Sequence, residues 1–350
     1  MAVVFAKTLT DWYLNNKRDL PWRKTGDPYR VWLSEIILQQ TRIAQGLPYY
    51  LKFVSAFPTV FDLANASEEK VLKLWQGLGY YSRARNLHST AKNVAFDRKG
   101  IFPLAYKELL GLKGVGDYTA SAIASICYNE PVAVVDGNVY RVLARFFDIE
   151  TPVNSTAGIK EFKELAMQLL DEQDPGTYNQ ALMEFGALQC TPQLPLCKSC
   201  PLSTACLALR HNKITKLPVK LKKAKITKRY FNYLVFKSVE NTTILEQRVG
   251  RGIWEGLYQF PLVETNELLS PLEFTKHPDF LSLVDIKQSP VTLYNEPPVI
   301  HKLSHQHIYT RFWIIEKVDL SQNNVAVAKI LDYPVPVLIA NFLKEYDFEG

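Results

Sequence analysis

Between Gly111 and Asn138 the chain reads G-L-K-G-V-G-D-Y-T-A-S-A-I-A-S-I-C-Y-N-E-P-V-A-V-V-D-G-N. Gly111, Gly114 and Gly116 make a tight turn there, and Asp117 to Tyr128, rich in Ala and Ser, follow as a helix. Glycine permits positive φ and close backbone approach, so Leu112–Gly116 can present bare N–H groups at the start of that helix. Such groups, backed by the helix dipole, form an anion site. Downstream, the apolar run Val132–Val135 ends in Asp136, followed by Gly137 and Asn138. An anion grip and a lone carboxylate about twenty residues apart suggest catalysis on a nucleic-acid backbone or base.

A chain of 350 residues is long enough for two domains, each with its own core. Its 47% hydrophobic and 22% charged residues are ordinary for a globular protein. No apolar stretch approaches the roughly 20 residues of a membrane span, and the first residues lack a signal-peptide layout, so a cytoplasmic location is expected, nucleoid-associated if the source is bacterial. The net charge of +6 is unevenly spread: residues 210–229 hold nine Lys or Arg and no acid, which leaves −3 for the remainder. A concentrated basic segment is compatible with nucleic-acid binding, although charge alone favours a solvated linker, and both can hold at once.

Residues 1–110 read as helices. Leu9, Trp12, Tyr13 and Leu14 mark an apolar face, and Leu20-Pro21-Trp22-Arg23 breaks it. Val31 to Thr41 form a helix that carries Glu35. The positions three and four away are Val31, Trp32, Leu38 and Gln39, so no cation on this helix can pair with it. Such a carboxylate should be desolvated and its pKa raised, as a general acid needs, unless Arg23 or Arg42 reaches it from elsewhere. Asp62 to Gln76 read as one helix ending at Gly77-Leu78-Gly79. Tyr80-Tyr81-Ser82-Arg83-Ala84-Arg85 then joins aromatics, which can wedge into a base stack, to arginines, which suit phosphate. Asp136 also fits an ordinary helix N-cap, and one residue can cap a helix and face a ligand.

Gly158–Leu170 and Tyr178–Leu188 continue the helical pattern up to Cys190, Cys197, Cys200 and Cys206, spaced C-x6-C-x2-C-x5-C with Pro192, Pro195 and Pro201 among them. In a cytoplasmic chain this points to metal rather than disulfides, and an all-thiolate set admits zinc or an iron–sulfur cluster. Cys127, among small residues in mid-helix, reads as a buried thiol. Beyond the basic segment Phe231–Lys237, Thr243–Val249, Trp254–Pro261 and Tyr309–Glu316 read as strands and Pro336–Tyr346 as a helix, a second domain of α+β type.

Taken together, Leu20–Arg23, Ser34-Glu35 through Gln39-Gln40-Thr41, Gly77–Asn86, the Leu112–Ala120 hairpin, Asp136-Gly137-Asn138 and the four-cysteine loop closely resemble the adenine DNA glycosylases of the MutY type, within the endonuclease III superfamily. The resemblance implies a multi-domain fold. An all-α helix-hairpin-helix domain, residues 1–209, would hold the hairpin at 111–128 and an iron–sulfur loop at 190–206. A basic linker, 210–229, would lead to a smaller α+β Nudix-like domain, 230–350. It implies a [4Fe–4S] cluster on Cys190, Cys197, Cys200 and Cys206. The implied partner is double-stranded DNA with adenine opposite 8-oxoguanine or guanine, bound by a monomer.

By the family pattern Glu35 protonates adenine as it leaves, and Asp136 stabilises the oxocarbenium-like sugar or bonds transiently to it. Tyr118 and Asn138 match supporting positions. Gln40 and Tyr80 match residues inserted in the base stack, Gly114, Val115 and Gly116 the phosphate-binding hairpin, and Arg23 and Gln180 the adenine pocket. Relatives that also cut the strand carry an imine-forming lysine where this chain has Tyr118, so a monofunctional enzyme is expected. Leu303-Ser304-His305 matches a loop that reads 8-oxoguanine, Ser304 facing the lesion's N7–H. Gly252–Pro261 resembles the approach to a Nudix box, but the glutamate cluster that would bind magnesium does not follow, and Glu264 and Glu267 do not reproduce it. No pyrophosphatase activity is expected. Lys113 for proline, Leu303 for phenylalanine and Tyr140 for lysine depart from the pattern. Two rival readings remain: a glycosylase/lyase of the endonuclease III type, and a non-enzymatic iron–sulfur DNA-binding protein.

Overall fold

The computed structural model describes residues 2–221, 226–317, 320 and 324–348, and Lys222, Lys223 and Lys225 of the basic segment lie outside them. The chain divides into two compact units, residues 1–65 with 86–222, and residues 66–85 with 223–350. Residues 66–85 thus pack with the strand-rich half, a grouping that only long-range contacts create.

The first unit is helical. Phe5, Leu9 and Tyr13 on helix Ala2–Asn16 share a core with Val142 and Phe146 of helix Gly137–Phe147 and with Leu182 and Phe185 of helix Pro175–Leu188. Helix Asp117–Tyr128 keeps the bounds expected from its sequence, and its small residues from Thr119 to Ser125 are all buried. A left-handed backbone and a close approach explain two glycines here. Gly114 has φ +78°, and a Cβ on Gly186 would stand 2.6 Å from the Cβ of Asn138. Any side chain at 186 would push helix Pro175–Leu188 away from Asn138.

Some elements differ from the sequence reading. The helix bearing Glu35 runs Pro28–Leu38, capped by Asp27, and Gln39 and Gln40 form a turn beyond it. The stretch read as one helix from Asp62 to Gln76 is two, Val60–Asn65 and Glu68–Trp75. Ser67 separates them, its hydroxyl accepting from Lys70 N at 3.2 Å, a cap that competes with helix continuation. Trp254–Pro261 is mostly turn, with only Tyr258–Gln259 paired as a strand, because Trp254 has φ +59° and Gly256 φ +82°.

In the second unit strand Thr227–Ser238 pairs in parallel with Gln306–Lys317 along its whole length. Leu262–Thr265 adds antiparallel to the first, and Val291–Leu293 and Val299–Lys302 add antiparallel to the second. Leu234, Phe236, Trp313 and Ile315 face one core with Phe274 and Phe280. On the opposite face Phe312 stacks on Phe342 of helix Val337–Glu345, ring centroids 4.1 Å apart. Covering both faces explains the continuous burial from Phe231 to Phe236. Among the described residues no helix is long and apolar enough to cross a membrane.

Candidate active site

A cavity of about 180 Å³ opens in the helical unit, and Arg23, Glu35, Tyr118, Asp136, Asn138 and Gln180 all line it. Five separate stretches of sequence meet there. The apolar face of helix Pro28–Leu38 buries Glu35 to 8% exposure. Burial in low-dielectric surroundings disfavours the charged form and pushes this carboxyl up to about 7, with the charge of Asp136 adding to the rise. The Tyr118 hydroxyl beside it and the charge of Arg23 oppose the rise. The same hydroxyl lies 3.6 Å from Met183 Sδ. Burial first, then the two carboxylates, raise the Tyr118 phenol well above its ordinary value, so it stays a neutral donor.

Asp136 caps helix Gly137–Phe147. Its Oδ1 accepts from the backbone N–H of Asn138 and of Val139, both at 2.8 Å, and its Oδ2 from Asn138 Nδ2 at 2.7 Å. Burial raises its pKa above the ordinary value, and these hydrogen bonds and Arg141 offset the rise only in part. Cap and cavity wall are therefore the same side chain. Asn138 is held in turn by Arg141, whose Nη2 donates to Asn138 Oδ1 at 2.8 Å and whose Nε donates to the Cys190 carbonyl at 2.7 Å.

Arg23 does not neutralise Glu35. Its Nη1 and Nη2 each donate to Glu184 at 2.9 Å, and Arg18 adds bonds from its backbone N and Nε. Although burial works the other way, these donors hold the Glu184 carboxyl at about 2. Gln180 Oε1 accepts from the Tyr13 hydroxyl at 2.9 Å. Sequence reasoning missed Glu184, Arg18, Met183 and Arg141. An acid within the apolar helix Pro175–Leu188 was the available signal for Glu184, the same signal that singled out Glu35.

The remaining predicted residues lie outside this cavity. Gln40 is exposed, with φ +54°. At the hairpin Gly114 and Gly116 are exposed, Val115 is buried, and Val115 N donates to the Leu112 carbonyl at 3.1 Å. In the second unit Tyr80, Leu303, Ser304 and His305 line a cavity of about 590 Å³ with Trp254, Arg85 and Arg229. Leu303-Ser304-His305 forms the tip between strands Val299–Lys302 and Gln306–Lys317, and Ser304 Oγ lies 2.5 Å from the Tyr80 hydroxyl.

The four loop cysteines are half-buried, and Cys190, Cys200 and Cys206 pack against the helical core. Burial, then Cys190, Cys206 and Cys197 beside it, push the Cys200 thiol up to about 11. Arg145, 2% exposed, donates to Cys190 Sγ at 3.4 Å and to the carbonyls of Thr191 and Pro192 at 2.7 and 3.0 Å. Neighbouring thiols with a buried guanidinium bonded to one of them suit an anionic thiolate centre. Among the described residues no group of three or more His, Cys, Asp or Glu is arranged to hold a metal ion. Cys127 stands apart, its thiol pushed up to about 12 by burial.

The HhH-GPD superfamily of base excision DNA repair proteins matches residues 33–167, and the NUDIX domain family matches 232–345. The adenine DNA glycosylase of Buchnera aphidicola subsp. Baizongia pistaciae is 36% identical over 334 residues, 92% of this chain and 90% of that protein. The human adenine DNA glycosylase is 46% identical over 216 residues, 59% of this chain but 40% of that longer protein. Among solved structures, a thermostable thymine-DNA glycosylase superposes with a TM-score of 0.56 at 31% identity, covering 60% of this chain and 97% of that one. With 36% identity to the Buchnera protein over nearly the full length of both chains, and both domain families matched, the chain belongs to the adenine DNA glycosylase family.

Proposed function

We propose that this protein flips adenine out of duplex DNA where it lies opposite 8-oxoguanine or guanine, hydrolyses its N-glycosidic bond and leaves an abasic site. The observation that carries the reading is the pair of carboxylates in one cavity with different surroundings. Glu35, desolvated and raised to about 7, is a proton donor at neutral pH, while Asp136 accepts three hydrogen bonds that favour its charged form. Two carboxyl groups divided in this way are the equipment for acid-assisted cleavage of a glycosidic bond.

In this reading Glu35 protonates the departing adenine and Asp136 faces the positive charge that develops on the sugar. Tyr118 orients the Glu35 proton, and Asn138 fixes Asp136. Arg23 and Gln180 border the base. The hairpin at Gly114–Gly116 takes the DNA phosphate, and Gln40 and Tyr80 enter the stack. No lysine stands at 118, so no imine to the sugar forms there and the strand stays intact. Ser304 reads the N7–H of 8-oxoguanine, with Leu303 and His305 beside it. Cys190, Cys197, Cys200 and Cys206 would hold a [4Fe–4S] cluster as its thiolate ligands, and the bound cluster would tie the two ends of the loop together. Glu264, bound to Arg229 at 2.6 Å, is already engaged by a cation, which accords with a Nudix-like unit that does not hydrolyse pyrophosphates.

Single-turnover adenine release from a duplex with adenine opposite 8-oxoguanine, with and without hot alkali, tests the reading. Strand breaks are expected only after alkali, and none with Glu35→Gln. Breaks without alkali would mean a lyase, and no adenine release would leave a DNA-binding scaffold.

A further inference from the structure

Outside the cavity, Lys163 on helix Thr156–Gln168 has its ammonium fully engaged. It donates to Asp117 Oδ1 and Oδ2 at 3.1 and 3.0 Å, to Ser121 Oγ at 3.1 Å and to the Ala133 carbonyl at 2.8 Å. Tyr106 donates its hydroxyl to Asp117 Oδ1 at 2.5 Å, and its ring lies 5.6 Å from the ammonium.

Asp117 is the first residue of the helix that follows the hairpin glycines. An acid there favours the helix through its dipole but repels any anion approaching the same N–H groups. At a half-exposed position that repulsion is worth roughly three- to tenfold in affinity at low salt. Asp117 does not cap the helix, since Gly116 is the N-cap and no side chain bonds the first turn. Its carboxylate turns instead to a lysine 46 residues away. An ion pair carries no net charge, so the approach to the hairpin is restored.

We infer that Lys163 is a positioning residue for DNA binding: by holding and neutralising Asp117 it keeps the start of the hairpin helix open to a DNA phosphate. The inference rests on the hairpin as the phosphate grip. It goes beyond that reading in assigning the residue that cancels the acid inside the grip, while Lys163 itself makes no contact with DNA.

The test is equilibrium binding of a fluorescent duplex carrying adenine opposite 8-oxoguanine, at low and at physiological salt. All proteins carry Asp136→Asn so that the duplex is not consumed. Lys163→Met should weaken binding three- to tenfold at low salt, and less at physiological salt. Asp117→Asn, which leaves an uncancelled ammonium, should tighten it severalfold. The double variant should return to within about twofold of the parent. A double variant as weak as Lys163→Met would overturn the inference, because Lys163 would then touch DNA or merely brace the fold. Unchanged binding in Asp117→Asn would overturn it as well, and this arm does not depend on Lys163→Met folding. Gly116→Glu, whose Cβ would meet nothing within 4 Å and which sets an acid in the grip itself, separates the two levels. If it leaves affinity unchanged, the hairpin reading falls and the inference with it. If it weakens binding while the Asp117 and Lys163 variants miss their pattern, the inference falls alone.

Discussion

Arg23 and Glu184 form a two-pronged ion pair in the cavity wall, Nη1 to Oε1 and Nη2 to Oε2, both at 2.9 Å, across 161 residues of sequence. The pair takes up an arginine of the cavity wall that could otherwise have neutralised Glu35. One carboxyl is held at about 2 and the other at about 7 within the same cavity. In the proposed reading, that separation leaves Glu184 to brace the cavity wall and Glu35 to supply the proton.

Adenine release should depend on protonated Glu35. The single-turnover rate is expected to be high below pH 7 and to fall as pH rises through about 7. A pH series on pre-bound duplex checks this, and a rate that is flat from pH 6 to 8 would remove Glu35 as the acid.

The same group makes a stability prediction. Its folded pKa, about 7, lies above the ordinary 4.5, so its contribution is complete below about pH 4.5 and is lost as pH rises through about 7. Glu35→Gln should therefore gain about 3 kcal/mol relative to the parent between pH 4.5 and 8. Urea denaturation at both pH values measures it, and an unchanged difference would mean the carboxyl is not buried as described.

Glu184 behaves in the opposite sense. Its pKa is depressed from 4.5 to about 2, so its contribution is present above about pH 4.5 and is lost as pH falls toward 2. Arg23→Met breaks a nearly buried pair and should cost about 3 kcal/mol at pH 7, with a smaller loss near pH 2. Urea denaturation at pH 7 and near pH 2 reads it, and equal losses at both pH values would contradict the assignment.

Asp136→Asn preserves an N-cap, since asparagine caps as well as aspartate. Adenine release should vanish while duplex affinity and melting temperature stay close to the parent. Loss of affinity would mean that the charge, not the cap, holds the site together.

Ser304 and Tyr80 share a hydrogen bond of 2.5 Å, so Ser304→Ala and Tyr80→Phe should both narrow the preference for 8-oxoguanine over guanine. A bond of this kind is worth about 1 kcal/mol, or roughly fivefold in the ratio. An unchanged ratio for both would take this loop out of lesion reading.

Much of the first unit was legible in residue order alone. Helices Asp117–Tyr128 and Gly137–Phe147 begin and end where their glycines, cap and apolar period require. The absence of a cation three or four residues from Glu35 is a local fact, so its desolvation could be anticipated. The cysteine spacing likewise belongs to one loop. Only the tertiary structure decided which partner each of these groups meets. Glu184 claims Arg23, Tyr118 reaches Glu35, Arg141 ties Asn138 to the Cys190 carbonyl, and residues 66–85 pack with the strand-rich unit. Periodicity reports which face of a helix is buried, but not what is buried against it. Those pairings span tens to hundreds of residues, and they are chosen by the packing of whole helices and by the cost of leaving a buried charge without a partner.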